Sequence, residues 1–239
     1  MHSLDPVPPP MELVVARHAE DTAWLRRVPR EIRITVYDKG DGTTGGIPLP
    51  NIGREAHTYL HHLAERHDTL ADLTVFVQGH PFDHAPDLHQ HLRNLAAGSE
   101  TIRDFQWLGF LADTDDPRGR RLFVPWSKNP AREELDMENF HRALFGGAGP
   151  DAYRFFVGAQ FAVRREAALR RSRSFYQAAR ELAATFPLAP HCFERCWDRV
   201  FGCDGTAERL PPDRMTAYFK PIRRLENCKE PLVRPPEPR

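Results

Sequence analysis

Three short apolar runs constrain this chain more than any other feature: Glu12–Ala16 (ELVVA), Ile32–Tyr37 (IRITVY) and Leu73–Val77 (LTVFV). Runs of this length, rich in β-branched residues and mostly unbroken by polar alternation, are how strands buried on both faces read. Each run stops on polar residues. Between the second and third, Asn51-Ile52-Gly53-Arg54 opens a helix in which Ala56, Tyr59, Leu60 and Leu63 recur at helical spacing to about His67. Parallel strands require crossovers of that kind. Strands alternating with helices predict an α/β fold, a mostly parallel sheet with helices on both faces. A chain of 239 residues is ample for one such domain and short for two.

The same reading extends along the chain. Asp21 or Thr22 is positioned to cap a short helix carrying Trp24 and Leu25. Asp38–Gly46 (DKGDGTTGG) holds four glycines and predicts a loop. Pro86–Ala97 predicts a helix stopped at Gly98. Short strands are expected around Phe105–Leu111 and Arg121–Val124. A helix should start at Asn129-Pro130 and stop at Gly146. Asp113, Asp115 and Asp116 read as a turn. Tyr153–Val163 (YRFFVGAQFAV) predicts a strand interrupted at Gly158, followed by helices over about 165–185 and 191–201. The proline-rich ends, DPVPPP and PLVRPPEPR, read as tails. The expected division is a tail over 1–10, the α/β domain over 11–204, and an extension with its tail over 205–239.

Composition narrows the partners. Lys plus Arg equals Asp plus Glu, so the formal net charge is zero and nothing electrostatic favours nucleic acid or an anionic membrane. No apolar run approaches the roughly 20 residues of a membrane span. Met1–Pro10 has neither the basic nor the apolar stretch of a secretory signal, and a cytoplasmic protein is expected. The four cysteines, Cys192, Cys196, Cys203 and Cys228, crowd into the last quarter, unlike a disulfide framework. Cys192, Cys196 and Cys203 have the makings of a metal set, but reduced, half-buried thiols are the expectation.

Ligands of open parallel sheets lie beyond the C-terminal strand ends. That rule selects Arg17–Asp21, Asp38–Gly46 and Gln78–His84 as site walls. Arg17 offers a planar fork suited to a pyrophosphate, and Glu20 or Asp21 offers acceptors for a base or ribose; a capping box with a surface ion pair is the competing reading. Arg54 and Glu55 stand at a helix N-terminus, where backbone N–H groups favour anions. His57 and His61 share a helix face, and with His80, Asp83 and His84 they suggest an N/O metal set. His80, Asp83 and His84 directly follow a buried strand; His61, His62, His89 and His91 read as surface histidines. A turn built on Pro81 and Asp83 is the structural alternative. Gly158 inside an apolar run marks a bulge or a close backbone approach to ligand, with Gln160 facing either that ligand or a core partner. Glu194 and Asp198 lie one turn apart with Trp197 between them, and either carboxylate suits a general base if it faces the cleft.

The segments ELVVARHAEDTAWL (12–25), VYDKG (36–40), LPNIGREAHTYLHHL (49–63), LTVFVQGHPFDH (73–84), FFVGAQFAVRREAAL (155–169) and FERCWDRVFG (193–202) resemble, in order, one bacterial and fungal family, the domain of unknown function numbered thirty-four thirty-one. More distantly the pattern resembles type-A glycosyltransferases, especially the rhamnan-synthesis group. There an Asn-x-Gly-Arg-acid motif opens a helix, and a later Gly-x-x-Phe strand precedes an Arg-Glu helix. The resemblance implies a nucleotide-diphosphate-sugar donor. It places Arg17 and Glu20 near the nucleotide, on walls shared with Asp21, Lys39, Gln78 and Gly79, and Arg54 and Glu55 by the donor. Glu194 becomes the acceptor-side base, with Gly158, Gln160 and Trp197 around the acceptor and Asp83 as a second catalytic carboxylate. Type-A transferases hold a divalent metal, Mn or Mg, through Asp-x-Asp after the strand equivalent to 73–77. This chain has Gln78-Gly79-His80 there, so a metal is expected to be weakly held or absent. The expectation is a sugar transferase. A catalytically silent ligand-binding module and a metal-dependent hydrolase built on His57, His80, Asp83 and His84 are the alternatives.

Overall fold

The three apolar runs lie side by side. In the computed structural model, which describes residues 9–40, 42, 45–109, 117–122 and 133–205, they form β1 (Met11–Arg17), β2 (Arg33–Asp38) and β4 (Leu73–Gln78). With β3 (Ile47–Pro48), β5 (Phe105–Trp107) and β6 (Phe161–Arg164) they build one sheet in the order β3-β2-β1-β4-β6-β5. β1 pairs in parallel with β2 and β4, β2 in parallel with β3, and β6 runs antiparallel to both β4 and β5. The expected mostly parallel sheet is therefore present, with one reversed strand.

Two-sided burial explains why β1 is central. Val14 and Phe76 point to one face and Leu13, Val15, Val75 and Val77 to the other, and all are fully buried. The helices are α1 (Arg54–Glu65), α2 (Leu88–Ala96), α3 (Met137–Phe145), α4 (Arg165–Ala168), α5 (Arg173–Thr185), α6 (Ala189–Glu194) and α7 (Trp197–Val200). The first face is covered by α1, α3, α5, α6 and α7, through residues such as Leu60, Phe140, Ala179, Phe193 and Trp197. The second is covered by α2 and the short turn of helix at Ala23–Arg27, through Leu88, Leu92, Trp24 and Leu25. Among the described residues no helix is long and apolar enough to cross a membrane.

Several elements differ from expectation, each for a local reason. The strand expected over Tyr153–Val163 is interrupted at Gly158 as expected, where Gly158 and Ala159 adopt left-handed conformations with φ of 91° and 51°, but only its later part, Phe161–Arg164, is strand. The helix expected over 165–185 breaks into α4 and α5, and the Ser172 hydroxyl restarts it by accepting the Phe175 N–H at 3.2 Å. The helix expected over 191–201 breaks at Cys196, whose φ of −144° is not helical. α3 ends on Gly146 as expected, at φ 84°. The helix start at Asn129-Pro130, half of the strand expected at Arg121–Val124, the turn at Asp113–Asp116, Cys228 and the C-terminal tail lie outside the described residues. Cys192 and Cys196 are buried and free, and the Cys196 thiol donates to the Cys192 carbonyl at 3.2 Å.

An aromatic cluster cements β6 to the helical layer. The Phe161 ring lies 5.0 Å from Trp197, 5.2 Å from Phe76, 5.3 Å from Phe105, 5.5 Å from Phe201 and 5.7 Å from Tyr59. Truncating a ring at such a hub removes its transfer free energy and leaves a cavity. Phe161→Ala should cost about 3–5 kcal/mol in urea denaturation, and a loss below about 1 kcal/mol would show that the cluster does not fasten the sheet to its helices.

Candidate functional site

The C-terminal ends of β1, β2 and β4 are tied into one rim. Arg17 and Asp38 face each other in register, and the Arg17 guanidinium donates from one nitrogen to both Asp38 oxygens, at 2.8 and 2.9 Å, with both side chains buried. Its Nε donates to the Glu20 carbonyl at 3.1 Å. The Lys39 N–H donates to the Arg17 carbonyl at 2.8 Å, and the Gly40 N–H to Asp38 Oδ1 at 2.8 Å. Only glycine fits at position 40, because a Cβ there would stand 1.8 Å from the His18 carbonyl oxygen. Glu20 accepts the N–H groups of His18 and Ala19 at 2.7 and 3.2 Å, and its carboxylate lies against Gly79. The Trp24 indole donates to the Gly79 carbonyl at 2.8 Å. Asp21 caps the short helix by accepting the Ala23 N–H at 2.8 Å. Arg17, Glu20 and Asp21 thus build the rim. The Arg17 fork, expected to grip a pyrophosphate, is spent on Asp38 and backbone carbonyls.

The charged groups stand on the α1 side of this rim. Lys39, nearly buried, donates through Nζ to the carbonyls of Ile52 and Arg54. Burial lowers the Lys39 ammonium to about 8, with Glu55 opposing. The Glu55 side chain is 10% exposed and lies 3.5 Å from Arg54, whose own side chain is 58% exposed. Burial pushes the Glu55 carboxyl upward, Glu194 pushes it further, and Arg54, the backbone and Lys39 oppose. Arg54 also meets His191 Nε2 at 3.3 Å. Burial lowers His191, with Glu194 pulling the other way. Glu194 accepts the Gly158 N–H at 2.7 Å on one oxygen, and the other is 3.4 Å from Arg195. A Cβ at Gly158 would stand 2.5 Å from the His84 ring, so the close approach at this glycine is to a side chain of the protein itself. Lys39, Arg54, Glu55, Gly158 and Glu194 are therefore brought together. His191 and Arg195, which join them, were legible only as neighbours of Glu194 in sequence.

Other expected site residues go elsewhere. Trp197, expected beside an acceptor, has 0% exposure and belongs to the aromatic core. Gln160, also fully buried, donates from Nε2 to the Pro81 carbonyl at 2.9 Å and props the turn after β4 from within. Gln78, half-buried, ends β4 opposite Ala16. His80 and Asp83 form a loose pair at 3.7 Å, with side chains 50% and 46% exposed. His57 is buried on α1 and stacks on His61 at 6.5 Å. Among the described residues no three His, Cys, Asp or Glu side chains group as a metal site, so neither His80, Asp83 and His84 nor the hydrolase set built on His57 converges.

The matched family model covers residues 13–211 and is described as "Protein of unknown function (DUF3431)". The chain belongs to that family. A comparison with curated proteins returned no match. One solved structure, CMP:2-keto-3-deoxy-manno-octonic acid synthetase complexed with CTP, is 14% identical with a TM-score of 0.31, covering 79% of this chain and 85% of that one. The fold therefore rests on the strand pairing described above.

Two measurements probe this region. Asp38→Ala leaves the Arg17 guanidinium buried and short of its carboxylate, and should cost about 3–5 kcal/mol in chemical denaturation. His57 and His62 are held to about 4 by burial, against 6.5 for an ordinary imidazole. Their neutral forms favour the fold, so the unfolded chain binds more protons between those values. Stability present above pH 6.5 should fall as pH drops toward 4, and His57→Gln should flatten that slope; an unaltered slope would remove His57 from the acid response.

Proposed function

We propose that this chain is a sugar transferase that takes a nucleotide-diphosphate sugar over the C-terminal ends of β1, β2 and β4, with Glu194 as the base toward the acceptor. One observation carries the reading: beyond those strand ends Glu194, oriented by the Gly158 N–H, shares a cluster with the second carboxyl Glu55 and the cations Lys39 and Arg54. Glycosyl transfer asks for that combination. A carboxylate accepts the acceptor hydroxyl's proton, and positive charge stabilises the departing diphosphate. Arg54 extends into solvent at the N-terminus of α1, where the helix dipole adds to its charge. Lys39 sits behind it. Arg17, Glu20 and Asp21 serve by fixing the rim against which the nucleotide lies, with Gln78 and Gly79 on its floor.

A divalent Mn or Mg ion prefers oxygen ligands. The residues here do not fit one: Gln78 carries no charge, Glu20 is turned to backbone N–H groups beside Gly79, and Asp83 pairs loosely with His80. Charge balance at the leaving group falls instead to Arg54 and Lys39. Free buried thiols at Cys192 and Cys196 accord with a reducing, cytoplasmic setting.

The reading is tested by scanning fluorimetry against a panel of nucleotide-diphosphate sugars, with manganese and with chelator. A ligand at about 100 times its Kd adds roughly 2.7 kcal/mol to stability. At least one donor should raise Tm in chelator, Arg54→Ala should abolish the shift, and Glu194→Gln should keep binding while losing transfer. Binding without hydrolysis or transfer in the wild-type protein would favour a silent module. A panel in which nothing shifts Tm under either condition would end the transferase reading.

A further inference from the structure

Beneath the candidate site two hydrogen-bond donors have no acceptor. The Tyr59 hydroxyl and the Trp197 indole N–H are fully buried and form no hydrogen bond among the described residues. Buried polar groups in folded proteins are nearly always satisfied by protein or by ordered water. Tyr59 stands one helical turn after Glu55 on the same face of α1. Helical side chains lean toward the N-terminus, so the phenol reaches back along the face that carries Glu55. The Trp197 and Tyr59 rings lie 5.7 Å apart, which sets the second donor beside the first. Glu55 supplies the missing chemistry, a carboxyl that is 10% exposed and lies within electrostatic reach of Tyr59.

We propose that Glu55 and Tyr59 hold one internal water between them, with the Trp197 N–H as its third partner, and that Tyr59 acts through this water as a positioning residue for Glu55. Three polar partners are what a buried water ordinarily finds. A sugar hydroxyl does not compete for this place, because Tyr59 and Trp197 have no exposed surface. The other groups facing Glu55 are Arg54 on α1, Lys39 from the loop after β2 and Glu194 from α6. Arg54 and Lys39 attract the carboxylate and Glu194 repels it, while Tyr59 is fully buried in the core. The consequence for sugar transfer rests on the function proposed above; the water site does not.

Tyr59→Phe is the discriminating variant, since it deletes one oxygen and preserves the ring. If the hydroxyl reaches Glu55 through water, its loss removes a donor that favours the carboxylate. The Glu55 titration midpoint, followed by carboxyl-carbon NMR, should then rise by about half a unit or more, a threefold change in proton affinity. Tm should fall. If the hydroxyl is a true orphan, Tyr59→Phe removes a burden: Tm rises and the Glu55 midpoint does not move, which overturns the proposal. Glu55→Gln supplies the second background. The Tm loss from Tyr59→Phe should change there, because the two residues share a partner, whereas an identical loss in both backgrounds also overturns it. Neither readout needs a nucleotide sugar, so failure of the transferase reading and failure of the water site are told apart.

Discussion

The Arg17–Asp38 pair is the interaction on which the rest of the site depends. It lies at matched positions on β1 and β2, with both side chains out of water. Burying two charges is costly unless geometry and further hydrogen bonds compensate, and here the guanidinium reaches both carboxylate oxygens and two backbone carbonyls. The pair fixes where each strand stops. Once Asp38 is held, Gly40 closes against His18 and the Lys39 side chain is committed to the opposite face, toward the start of α1. The position of the cationic cluster is thus inherited from an ion pair that does not belong to it.

The second determinant is backbone conformation. The non-glycine residues with left-handed φ are Arg54, Ala159 and Leu188 among those described, and each lies in or leads into a segment that supplies the cluster. Arg54 begins α1, Ala159 follows the glycine that holds Glu194, and Leu188 begins the helix that ends on Glu194. Such conformations persist only where surrounding contacts over-determine them. At Gly53 the reason is visible: a Cβ there would stand 2.6 Å from the Ala183 carbonyl oxygen, so α1 starts hard against the end of α5.

What the sequence made legible follows from how each residue is buried. The runs that became β1, β2 and β4 are apolar because the sheet is covered on both faces, and they were readable to within a residue at every end. YRFFVGAQFAV, read as a strand interrupted at Gly158, is interrupted there, but the part before the glycine was taken for strand because apolarity marks burial, not conformation: Tyr153, Phe155 and Phe156 are buried outside any strand. Glu194, Arg54 and Lys39 stood out as charges next to element ends. The depth of Glu55 did not, since it depends on α6 arriving from far along the chain, as the contact between Arg54 and His191 shows across 137 residues. Trp197 was placed at the site because one helix was expected over 191–201; the break at Cys196 puts Trp197 on α7, where its ring turns into the aromatic core.

The reversed strand β6 has a consequence of its own. Because it runs against β4, it is its beginning, not its end, that reaches the edge where β1, β2 and β4 finish. Gly158 and Gln160 arrive there from upstream, and the backbone after Arg164 departs on the far side. Insertions and deletions therefore have unequal reach along this chain. Lengthening the segment between α3 and β6 would alter the rim at the ends of β1, β2 and β4, whereas the same change between β6 and α5 would be absorbed at the opposite edge, leaving that rim untouched.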